Sequence, residues 1–212
     1  MGRIPYEDQL HWRQWNVPPR GTIPERRVRS DLLAEFVSID EPISNFQAAY
    51  ERVQEAAQAM FRADLFLPLN EKDSHAYETL HVPLSEEEKE FDEQVQALAK
   101  VTVDSLNVDL LSRASGKRID GNEIKGSIAL FGAYLIGKGL PEEQLASILR
   151  AFHAVQSIRS TGSAHRKGAN YTKALKQFDL DGIPNSAKAK KLLADLTQAL
   201  ETIAAVMRGE ES

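Results

Sequence analysis

From residue 43 onward, apolar side chains recur at intervals of three and four. That spacing makes one stripe on a helix and has no counterpart in a strand, whose period is two. Phe46, Tyr50, Val53, Ala57, Met60 and Phe61 predict a helix over 43–63, after a short one over 30–38. Ser85 followed by Glu88 reads as a capping box opening a helix that runs to about residue 114, with Phe91, Val95, Leu98, Thr102 and Leu106 as its stripe. A helix over 122–137 carries Ile124, Ile128, Phe131 and Leu135, and Gly137 and Gly139 end it. Pro141 opens the next, whose apolar face is Leu145, Ile148, Leu149, Phe152, Val155 and Ile158, with a break near Gly162. A short helix over 169–178 precedes a last one over 186–208, striped by Leu192, Leu193, Leu196, Leu200, Ile203 and Val206. No alternating stretch demands a sheet. The expectation is an all-α bundle of five to seven helices.

The first 30 residues obey a different rule. They contain four of the nine prolines, both tryptophans (Trp12 and Trp15) and six arginines, which prevents a long helix. They read as an irregular arm that either packs across the helices or docks a protein partner. Residues 31–84 then form a helical extension whose second half, 64–84, is a long connection, and 85–208 form the bundle. The 212 residues include no cysteine. That excludes disulfides, cysteine-ligated zinc, iron–sulfur clusters and a thiol nucleophile. No apolar run approaches the roughly 18 residues of a membrane span, and the N-terminus lacks the apolar core of a signal peptide. A cytoplasmic protein without membrane attachment is expected.

The net charge is −5, yet the acids are unevenly spread. Positions 144–178 contain no Asp or Glu, while they hold Arg150, Arg159, Arg166, Lys167, Lys173 and Lys176 with His153 and His165. Such an island attracts phosphate in a salt-dependent way; the plain alternative is an acid-free run on a solvated face. Phosphate-loop, dinucleotide-binding, GxSxG and HExxH motifs are absent. The five histidines are scattered, so no metal and no cofactor is expected.

Within the island lies SIRSTGSAHRKGANY, residues 157–171. On one unbroken helix Arg159 and His165 would stand ~120° apart, since six residues advance ~600°. A break at Gly162 lets both, with the hydroxyls of Ser160, Thr161 and Ser163, face one phosphate. Arginine stabilises charge on a phosphoryl group, and histidine moves a proton near neutral pH. Together they suit attack of an RNA 2′-OH on its neighbouring phosphate, giving a cyclic phosphate and a free 5′-OH. DNA lacks that nucleophile.

Arg159-x5-His165 at a helix junction resembles the R-x4–6-H motif of HEPN-domain ribonucleases, over roughly residues 86–207. The resemblance implies a four- or five-helix bundle and a homodimer in which two motifs face each other, as in bacterial and archaeal defence and toxin–antitoxin systems. By that pattern Arg159 stabilises the phosphate, His165 is acid or base, and Ser160 takes the polar position, where family members often carry Asn, Asp or His. Arg166 and Lys167 would bind backbone phosphates of RNA, joined by Lys173, and Tyr171 either stacks on a base or fills the core. His153 reads as a packing or surface residue. Two other readings stay open: a non-catalytic module that holds RNA, a nucleotide or a protein, and a structural domain in which Arg159 and His165 satisfy helix ends.

Overall fold

The structure is a computed structural model that describes residues 42–120, 124–162 and 168–209. All of these fall within one compact unit, Ile39–Ser212. The N-terminal arm with Trp12 and Trp15, and the helix expected over 30–38, lie outside the described residues.

Eight helices occur among the described residues: α1 (Pro42–Phe61), α2 (His75–Glu78), α3 (Glu88–Val101), α4 (Val108–Ser115), α5 (Ser127–Gly137), α6 (Glu142–Gly162), α7 (Ala169–Gln177) and α8 (Asn185–Arg208). The all-α expectation holds, but the number exceeds the five to seven anticipated. One addition is the single turn α2 inside the 64–84 connection. The other comes from the expected helix 85–114, which is two helices, α3 and α4, separated by residues 102–107.

The reason for that break lies elsewhere in the chain. In the segment 64–67, Leu67 is exposed, while Leu65 and Phe66 are fully buried. Their main-chain polar groups need partners away from water. Residues 105–107 supply them: the Leu67 amide donates to the Ser105 carbonyl (2.6 Å) and the Asn107 amide to the Leu65 carbonyl (2.8 Å), around an isolated bridge between Phe66 and Leu106. On the other side, the Gln54 side chain of α1 mimics a strand: its Nε2 donates to the Phe66 carbonyl (2.7 Å) and its Oε1 accepts from the Phe66 amide (3.0 Å). Asn107 then restarts the helix, accepting from the Leu110 amide at 3.0 Å as an N-cap.

Ser85 and Glu88 do not form the expected capping box, because α3 begins at Glu88 itself. Glu90 takes the role instead. It accepts from the Leu84 amide (2.9 Å), the Ser85 amide (3.0 Å) and the Ser85 hydroxyl (2.5 Å). These bonds, the Ser85 hydroxyl foremost, pull the Glu90 carboxyl from the usual 4.5 down to about 2. A depressed carboxyl stabilises the fold above its ordinary value and loses that contribution as pH falls through the depressed one. Glu90→Gln is therefore expected to cost about 1 kcal/mol at neutral pH. Urea melts should show that difference intact above pH 4.5 and vanishing near pH 2. The neighbouring Glu86 caps a different helix, accepting from the Asn185 amide (2.9 Å) where α8 begins with unpaired donors.

The core lies around α6 and α8. α8 packs along α1, whose Phe46, Ala49, Val53, Ala56 and Ala57 are buried, and the pair is tied at the surface by Arg52 and Glu201. α6 packs on α3, α5, α7 and α8. Its Phe152 is fully buried and meets Phe131 of α5 (ring centroids 5.3 Å) and Phe66 (6.4 Å). Helix α5 comes close to α6 at Gly132, where a Cβ would stand 3.2 Å from Leu149 Cδ1.

Candidate functional site

Arg159 sits in the last described turn of α6. The preceding Ile158 is buried against the core, which fixes the turn and leaves the Arg159 side chain partly exposed, at 29%. Gly162, where a break is expected, is itself helical and is the last described residue of α6. Gly168 is extended (φ −97°, ψ −168°) and α7 opens at Ala169.

Gly162 has a steric reason to be glycine. A Cβ there would meet Asp92 Oδ1 of α3 at 3.2 Å and the Tyr171 ring of α7 at 3.4 Å. Three helices converge on a tight point, where a Cβ would need Asp92 or Tyr171 to give by a few tenths of an ångström. Gly162→Val is expected to destabilise by about 1–3 kcal/mol through overpacking, read as a lower thermal midpoint, with Gly162→Ala milder.

Beside this point is a shallow surface cleft, too slight to enclose a water molecule, lined by Asp92, Val95, Gln96, Ile158, Arg159 and Gly162. The Arg159 guanidinium donates through Nη1 to Asp104 Oδ2, on the link between α3 and α4. Two carboxylates, Asp92 and Asp104, thus flank one arginine. Neither was legible as a site residue, because both come from outside the acid-free run and reach it only through the fold.

The same holds along the run. Arg150 pairs with Asp179 (2.9 Å) and lies over the Phe178 ring (5.3 Å to its centroid), and Lys176 faces Asp181 at 4.0 Å. Three of the four described Lys and Arg residues of the island, Arg150, Arg159 and Lys176, meet acids across space. Lys173 is exposed on α7 and has no acidic partner among the described residues. Ser160 is exposed, but its hydroxyl donates to the Ser157 carbonyl (3.0 Å), and Thr161 donates to the same carbonyl (2.7 Å). Both hydroxyls therefore turn back along α6 instead of converging on an external phosphate. Tyr171 corrects the stacking expectation: it is 7% exposed and packs against Gly162, so its ring is core and offers no face to a base. His153 is exposed on α6. Ser163, His165, Arg166 and Lys167 lie outside the described residues.

No group of three or more His, Asp or Glu side chains among the described residues is placed to hold a metal ion. No described helix is long and apolar enough to cross a membrane. No family model, curated protein or solved structure matches the chain.

Proposed function

We propose that the protein is a metal-independent endoribonuclease of the HEPN type that works as a homodimer. The observation that carries the reading is the place of Arg159: partly exposed beside a shallow surface depression, in the last described turn of α6. In this reading Arg159 holds the scissile phosphate and stabilises its added charge. His165, six positions on, accepts the 2′-OH proton, and its counterpart in the second copy protonates the departing 5′ oxygen. The 2′ oxygen bonds to phosphorus as the bond from phosphorus to the 5′ oxygen breaks. Ser160 supports the site from the surface of α6, while Arg166, Lys167 and Lys173 hold flanking phosphates and the N-terminal arm docks a larger defence assembly. The decisive assay incubates the protein with unmodified RNA in EDTA and compares wild type with His165→Ala and Arg159→Ala, each checked for folding. Cleavage that survives both changes sinks the assignment.

One observation favours a second reading, a non-catalytic helical module that binds RNA, a nucleotide or a protein. The Arg159 guanidinium already has an internal carboxylate partner, Asp104, and a cation in the last turn suits the helix dipole. That reading predicts salt-sensitive binding without turnover. Arg166→Glu with Lys167→Glu would abolish the binding and His165→Ala would leave it intact.

A further inference from the structure

We infer that Asp104 is a built-in competitor for phosphate at Arg159, so that anion binding at the cleft requires this ion pair to open. The inference rests on the reading of Arg159 as a phosphate-binding arginine, and adds a restraint that the motif does not contain.

Three features carry it. First, the partner is chemically the right mimic. A carboxylate occupies a guanidinium fork in the geometry that a phosphate oxygen would use. Asp104 takes the Nη1 edge of Arg159, the residue that lines the cleft. Secondly, the pair is open to water, with side-chain exposures of 29% for Arg159 and 44% for Asp104. Exposed pairs are held weakly and exchange partners readily. Thirdly, the link that bears Asp104 does not depend on the pair for its shape. The Asp104 amide donates to the Ala99 carbonyl (2.9 Å), the Thr102 hydroxyl to the Leu98 carbonyl (2.6 Å) and the Ser105 hydroxyl to the Lys100 carbonyl (2.6 Å). The Phe66–Leu106 bridge anchors its far end. The carboxylate can therefore swing away while the backbone stays.

An RNA phosphodiester carries one negative charge, as the carboxylate does, so it displaces Asp104 only at a cost in affinity. Removing the Asp104 charge removes that cost.

The test measures binding of a fluorescent single-stranded oligoribonucleotide made uncleavable by 2′-O-methyl groups, in EDTA at low salt. Asp104→Asn is expected to tighten binding by about three- to tenfold, with the gain shrinking as salt rises. The gain should disappear when Arg159→Gln is added. Asp179→Asn, which removes the same charge beside Arg150, should not reproduce it. The inference is overturned if Asp104→Asn binds no tighter than wild type, if its gain persists with Arg159→Gln, or if Asp179→Asn gives the same gain. Asp104→Ser stands in should the Asn variant fail to fold. Cleavage of unmodified RNA, measured alongside, separates the two claims. Tightening through Arg159 with no cleavage by any variant removes the endoribonuclease and keeps the competitor. Cleavage that depends on His165, with no tightening in Asp104→Asn, does the reverse.

Discussion

Replacing His165 with Ala is expected to lower RNA cleavage in EDTA by about a hundredfold to ten-thousandfold, the range that a positioned general acid or base supplies. Arg159→Ala should lose a comparable factor, because it removes charge stabilisation of the phosphorane. The two losses should not multiply, since both residues serve one step. Arg159→Lys should recover little: an ammonium keeps the charge but cannot offer two parallel donors to a phosphate. Product analysis adds a check independent of rate. Cyclic phosphate at the 3′ fragment end and a free 5′-OH are required by 2′-OH attack, and substrates with 2′-deoxyribose at the cleavage position must resist. Hydrolysis to a 5′-phosphate would place the chemistry elsewhere.

The largest effect on stability is expected at Phe152. It is fully buried where α6 meets Phe131 of α5 and Phe66 of the segment 64–67. Truncation to Ala removes a ring that three parts of the chain share, and the rigid helices around it cannot all move in to fill the space. The expected cost is about 3–5 kcal/mol. For a chain of this size each kcal/mol corresponds to roughly 2–4 °C in the thermal midpoint. Phe152→Leu should retain most of the packing and cost less. Denaturant melts in which Phe152→Ala behaves like wild type would show that this ring is not the centre of the core.

Helix type and approximate position were legible because they depend on local periodicity. Of the expected stripe on α1, Phe46, Val53 and Ala57 are buried but Met60 is exposed; on α8, Leu192, Leu193, Leu196, Leu200 and Ile203 are buried and Val206 only partly so. The break at 102–107 was not legible in the same way. Its cause is the hydrogen-bonding need of residues 64–67, about 40 positions away, and a bridge of one residue on each side leaves no period to detect. Asn107 was the one local hint, a capping residue inside an otherwise helical pattern. Ser85 and Glu88 had the spacing of a capping box, yet Glu90 won, because one carboxylate two residues further along satisfies two amides and a hydroxyl together. The charge island illustrates the same limit from the other direction. A linear scan counts acids along the chain, whereas Arg150, Arg159 and Lys176 meet Asp179, Asp104 and Asp181 in space. Gly162 reads as a breaker, yet it is helical within α6, and its tight seat between Asp92 and Tyr171 was not legible.

The pairing of α1 with α8 has a consequence for how the protein is made. Residues 62–184 separate the two helices. At the pace of translation their synthesis takes roughly 6–25 s. Throughout that interval the stripe of α1 that α8 will cover waits without its partner. The bundle cannot close progressively from its leading end; it closes when its last helix emerges. A ribosome stalled before residue 185 would therefore hold a chain with an open apolar seam, the state in which a nascent protein most needs a chaperone.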